Sequence, residues 1–193
     1  MYGYEFREDP EKSRAEGTQR VLNLYSSRYK KILEMTDFER ALVNSFNRFF
    51  EDEKIEGIAH RKKQHRFSSQ LCDVLVDSPH DMFYLAIENK SIKTSSTNKL
   101  YFSQHFSTSD GGHQVARISD FLDRSGRQGY LAVELKRGRG RSRKAYMVPW
   151  TLVRNRFEEG ATGIHIDELD DYPEIMRSSE DYSIAEICQK MEI

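Results

Sequence analysis

Cysteine is almost missing from this chain of 193 residues: Cys72 and Cys188 are the only two, far apart and outside any CxxC or Cys-His spacing. Neither a disulfide framework nor a thiolate zinc site is supported by that pattern. Long apolar runs are missing as well, and none approaches the roughly 20 residues of a membrane span. The opening MYGYEFREDPEK lacks the basic-then-apolar layout of a signal peptide, so the cytoplasm is the expected location and no membrane partner is expected. The six histidines follow no metal-ligand spacing. No zinc finger, helix-turn-helix or internal repeat is evident.

What the chain has instead is charge, unevenly placed. Charged residues make up 32% and apolar residues 37% of the sequence, whose formal net charge is −1. Residues 158–193 hold 11 acidic and 2 basic residues, a local balance of −9, which leaves +8 on residues 1–157. A basic body with an acidic tail is one sign of a polyanionic partner.

Periodicity organises the body. From about Thr18, Val21, Leu22, Tyr25, Tyr29, Ile32 and Leu33 recur at helical spacing. A second helix is expected from Thr36 to near Glu53: Thr36-Asp37-Phe38-Glu39 has capping-box spacing, and Phe38, Leu42, Phe46 and Phe49 form a stripe. Ile55 to His60 reads as a short strand. LCDVLVD (71–77) and MFYLAIENK (82–90), joined by the turn SPHD, read as an antiparallel hairpin. Ser91 to Gly112 is polar and reads as a loop. A helix from His113, ended by Gly126 and Gly129, then leads to the strand GYLAVELK, a right-handed parallel crossover. The loop RGRGRSRK (137–144), the strand AYMVPW and a helical turn at TLVRNRF follow.

Two heptapeptides, YLAIENK (84–90) and YLAVELK (130–136), both end in Glu-x-Lys. Strand side chains alternate, so each acid and its lysine share a face. Around the first copy, Asp73 on the partner strand and Glu39 on the preceding helix bring three carboxylates and Lys90 together. Carboxylates on adjacent strand ends repel unless a cation or proton lies between them, and oxygen ligands of this kind suit Mg²⁺ or Mn²⁺. Lys90 would orient or deprotonate the attacking water and offset phosphate charge. Glu39 is equally explained as a capping-box residue. The second copy has no upstream acid on a partner strand, so Glu134 and Lys136 are expected to be a surface pair or a DNA-facing edge.

The order helix with Glu39, hairpin with Asp73, Glu88-Asn89-Lys90, crossover helix and strand resembles the PD-(D/E)XK nuclease superfamily, most of all its archaeal-type Holliday junction resolvases. FERAL (38–42) is similar to the helix of that family's first acid, SSQLCDVLV (68–76) to its metal-binding Asp strand, and HQVARISDFL (113–122) to the helix after its lysine strand. Cys72 stands where the name-giving proline would be, Asn89 where many members carry an apolar residue, and the resolvases' Gly-rich basic N-terminus is missing.

The resemblance implies an α/β, restriction-endonuclease-like fold, a mixed β-sheet core flanked by α-helices. It divides the chain into an N-terminal helical extension (1–35), a nuclease core (36–157) and an acidic C-terminal extension (158–193). It also implies an Mg²⁺- or Mn²⁺-dependent DNA endonuclease with Glu39, Asp73, Glu88 and Lys90 as catalytic residues, the Asn89 backbone carbonyl as a further ligand, and a two-fold homodimer acting on branched DNA. Nucleases of duplex ends, flaps or foreign DNA, and a non-catalytic DNA-binding module, are the alternatives. Phosphate contacts are expected from Arg61, Lys62, Lys63, Arg66 and Ser68, from Gln114 facing the site, and from Arg139, Arg141, Arg143 and Lys144.

Overall fold

The Phe38-Leu42-Phe46 stripe does form a helix, α1, present over 37–53 in a computed structural model that describes residues 37–61, 71–178, 181–185 and 187. The helix expected from Thr18, the capping residue Thr36, and Lys62, Lys63, Arg66, Ser68 and Cys188 lie outside the described residues. Phe38, Leu42, Phe46 and Phe50 are buried at the four-residue spacing of one helix face, with Phe49 partly buried beside them.

Strands β1 (Ile58–Arg61), β2 (Val74–Asp77), β3 (Leu85–Lys93), β7 (Gln128–Lys136) and β8 (Lys144–Pro149) form a five-stranded sheet in the order β1-β2-β3-β7-β8. The pairing of β2 with β3 is antiparallel, as the hairpin predicts, and that of β3 with β7 is parallel, as the crossover predicts. The strands of the hairpin are shorter than expected at their outer ends: Met82 and Phe83 sit in a 3-10 turn (Asp81–Phe83), and Leu71 to Asp73 precede β2. The fold is therefore mixed α/β, a mixed sheet flanked by helices, as the sequence predicts.

Between β3 and β7 the expected loop is a correction. There β3 continues to Lys93, then come β4 (Lys99–Tyr101), helix α2 (Phe102–His105), and a small hairpin of β5 (Thr108–Ser109) and β6 (Gly112–His113). The physical reason is three apolar anchors, Leu100, Phe102 and Phe106, all buried. Helix α3 (Gln114–Ser125) follows, ended by Gly126 at φ 69°, a left-handed cap that glycine adopts without a Cβ penalty. Next to it, Gly129 lets the helix layer approach β7, because a Cβ there would lie 2.2 Å from Leu122.

Helix α4 (Trp150–Glu158) completes that layer, and β9 (Gly163–His165) pairs with β4. Thus α1 packs on the sheet face carrying Val74, Ile87, Tyr130, Ala132 and Met147, whereas α3 and α4 cover the face carrying Ala86, Ile92, Leu131, Val133 and Val148. The acidic segment joins the first of these cores through Ile175, Tyr182, Ile184 and Ile187, the strands β10 (Arg177–Ser178) and β11 (Asp181–Tyr182) lying within it. Burying apolar side chains at about 25 cal/mol per Å² explains why so acidic a segment is held at all.

Candidate active site

The register of β3 against β7 decides where each heptapeptide points. Tyr130 lies beside Ile87, not beside Tyr84, and Glu134 beside Ser91. Equivalent residues of the two copies are thus three positions out of step, and an odd offset sends them to opposite faces of the sheet. Glu88 and Lys90 face the α3 and α4 layer. Glu134 and Lys136 face α1.

On its face, Glu88 is only 2% exposed. Its Oε1 accepts from Lys90 Nζ at 2.5 Å and from Gln114 Nε2 at 2.8 Å, while its Oε2 is buried without a hydrogen-bond partner. The first residue of α3 supplies that Gln114, whose backbone N–H donates to Ser107 O and whose Oε1 accepts from Ser107 N. The ring of Phe106 lies 4.8 Å below the Lys90 ammonium.

Asp73 sits where β2 has not yet begun, and its Oδ2 accepts from the Asn89 N–H at 2.8 Å. Its carboxylate thereby replaces a missing ladder partner. A residue's N–H and C=O point to the same neighbouring strand, so the Asn89 carbonyl opens toward this side too. Glu39, from the first described turns of α1, accepts from Arg61 Nε at 3.0 Å and Nη2 at 2.6 Å. It lies close enough to Asp73 and Lys90 for each to alter its ionisation.

All three carboxyls hold their protons more tightly than usual. Burial is the main cause for each: it pushes Glu88 to about 7 against the opposing pull of Lys90, and raises Asp73 despite Lys90 and the Asn89 N–H. For Glu39, burial and the Asp73 charge outweigh Arg61. Carboxyls crowded in this way repel one another unless a proton or a cation lies between them.

The donor set fits Mg²⁺ or Mn²⁺. Asp73, the unpartnered Glu88 Oε2 and the Asn89 carbonyl are hard oxygen donors, and these ions keep several waters beside a few protein ligands. Among the described residues no group of three or more His, Cys, Asp and Glu gathers to hold a metal alone. A two-carboxylate site therefore requires water or substrate oxygens to complete the shell.

The structure brings Glu39, Asp73, Glu88, Lys90, Gln114 and Arg61 to one place. The basic loop divides: Arg139, Arg141 and Arg143 are all exposed, but Arg143 donates to Glu134 at 3.0 Å and Lys144 pairs with Asp170 and Glu174. Glu134 is itself a correction, being 1% exposed and not part of a surface pair. It accepts from Ser91, Arg143 and Tyr182, because the odd strand offset turns it inward under the acidic segment. The Asn89 side-chain amide is buried on the same face as Glu134 without a hydrogen-bond partner. Sequence reasoning also missed Phe106, which no motif marks.

No family model matches the chain, and no curated protein matches it. Among solved structures it is similar to Hjc, a Holliday junction resolvase from the archaeal hyperthermophile Archaeoglobus fulgidus. The identity is 20%, over 56% of this chain and 77% of that one, with a TM-score of 0.33. A likeness of that size adds nothing to the geometry above.

Proposed function

We propose that the protein is a divalent-metal-dependent endonuclease that hydrolyses phosphodiester bonds in DNA, acting as a two-fold dimer on branched substrates such as a Holliday junction. The observation that carries the hydrolytic reading is the junction of Asp73 and Glu88 across the Asn89 backbone, with one buried Glu88 oxygen unpartnered and Lys90 alongside. The choice of branched DNA rests on the resemblance of the motifs to archaeal-type Holliday junction resolvases, not on the geometry of the site.

When bound by Asp73, Glu88 and the Asn89 carbonyl, Mg²⁺ or Mn²⁺ supplies a Lewis acid for a phosphate oxygen and lowers the pKa of a bound water. Gln114 and Lys90 both hold Glu88 Oε1, which restrains the carboxylate and leaves Oε2 without a hydrogen-bond partner, so that it would be available to the metal. The Lys90 ammonium is buried, so its charge acts on the phosphate in a medium where it is weakly screened. Arg61 holds Glu39 through two bonds to its Oε2, and the Glu39 carboxyl would orient water beside Asp73 and Lys90. Arg139 and Arg141, exposed beyond β7, grip phosphates without reading sequence.

The test is cleavage of a labelled four-way junction, a linear duplex and a flap with Mg²⁺ and with EDTA. Metal-dependent cutting strongest on the junction is expected. Cutting strongest on duplex or flap would reassign the substrate, and no cutting with retained binding would make the chain a DNA-binding module.

A further inference from the structure

We infer that Phe106 is a positioning residue for Lys90, its ring face holding the ammonium at the Glu88 carboxylate; this rests on the nuclease reading of that site. Lys90 is buried, and a buried ammonium needs each of its directions answered. Glu88 Oε1 answers one at 2.5 Å, and the Phe106 ring, with its centroid 4.8 Å from Nζ, answers another. The negative face of an aromatic ring attracts a cation, most strongly where water is excluded.

The ring is itself held rigidly. Its edge contacts with Phe102 and Trp150 fix it from two sides, with centroids at 5.9 and 6.1 Å, and Trp150 is anchored in turn by its indole N–H on Ser119 Oγ at 3.0 Å. The Phe106 N–H donates to Phe102 O, closing the α2 turn. One residue further, Ser107 clamps Gln114, the other donor to Glu88 Oε1. Consecutive residues of the segment between β3 and β7 thus fix both groups that hold Glu88. Phe106 touches no reacting atom, so its effect should appear in turnover and not in substrate affinity.

The experiment replaces Phe106 site-specifically with mono-, di- and trifluorophenylalanine, which keep the ring's shape while draining its negative face, and compares Phe106→Tyr and Phe106→Leu. Cleavage kcat should fall stepwise with fluorination, to about tenfold or more below wild type, with KM unchanged. Tyr should retain turnover and Leu should lose it. An unchanged kcat across the fluorinated series overturns the inference, whatever Leu does to folding. A readout free of cleavage separates this from the nuclease reading: a double-mutant cycle of Phe106→Leu and Lys90→Met on metal-free urea unfolding. Coupling of about fivefold or more in the unfolding constant supports the contact, and additivity refutes it. Coupling in an inactive protein would leave the contact standing and sink only the nuclease reading.

Discussion

YLAIENK and YLAVELK lie side by side in one sheet, carry the same Glu-x-Lys ending, and serve opposite ends. Glu134 has its oxygens accepting from Ser91, Arg143 and Tyr182, with Lys136 Nζ at 3.9 Å. Burial and the Glu134 charge both push the Tyr182 hydroxyl up, which keeps it a proton donor to that carboxylate. Glu88 has one oxygen doubly bonded and the other bare, with Asp73 close enough to disfavour its ionisation. A buried carboxylate with all its partners is a structural joint, and one left short of partners beside a second acid is poised to take a ligand. The letters of the two copies do not distinguish them. The odd offset in register does, because it turns one acid toward the strand ends where Asp73 waits and the other under the acidic segment.

The strongest way to break this comparison is by activity. Asp73→Asn, Glu88→Gln and Lys90→Ala should each cut DNA at least about a hundredfold more slowly, with binding of a labelled junction in EDTA nearly unchanged. Glu134→Gln should keep its turnover wherever it remains folded. Loss of cleavage confined to the folded Glu134 variant would mean that the wrong copy carries the chemistry.

Stability should rank the two copies the other way. Removing Glu134 takes away the acceptor that Ser91, Arg143 and Tyr182 share, and leaving buried donors unsatisfied costs about 1–3 kcal/mol. Glu134→Ala should therefore shift the urea midpoint down strongly. A surface-like loss of less than about 1 kcal/mol would contradict the buried joint.

Glu88→Gln should do the reverse and stabilise the metal-free protein. The folded pKa of Glu88 is about 7 against an ordinary 4.5, so the native state binds a proton that the unfolded chain releases. Stability tied to this group is thus present below the ordinary value and lost as pH rises toward 7, remaining lost above it. At pH 8 the Gln variant should be more stable than wild type by up to roughly 3 kcal/mol, and at pH 4 the difference should vanish. Urea melts at both values check it, and a variant less stable at pH 8 would show Glu88 to be a structural acid after all.

Much of this is legible in the sequence. The α1 stripe, the β2-β3 hairpin and the α3-β7 crossover follow from regular spacing, and so do the positions of Glu39, Asp73, Glu88 and Lys90. The face of Glu134 was not legible, because it depends on a register that only the packed sheet defines. Phe106 was hidden for a related reason: Leu100, Phe102 and Phe106 are isolated in a polar stretch, and burial, not periodicity, makes them anchors. The basic loop reads as uniform in sequence, yet the folded acidic segment claims Lys144, and Glu134 claims Arg143.

That division of the loop gives the smallest and sharpest effect. If Glu134 fixes Arg143 as part of the frame, Arg139 and Arg141 at the exposed tip remain placed to neutralise phosphates. Each phosphate neutralised contributes about −0.9 to the slope of log affinity against log salt. Replacing Arg139 and Arg141 together by Ser should flatten that slope by about two units, equally for junction and duplex, since phosphate contacts carry no shape or sequence information. Arg143→Ser should leave the slope unchanged and lower the urea midpoint instead, the pattern of a residue that serves the frame. The measurement is a salt titration of affinity in EDTA for wild type and both variants. A flatter slope in the Arg143 variant would show that this guanidinium leaves Glu134 to meet the DNA, and the buried joint under the second heptapeptide would then belong to the binding surface as well as to the fold.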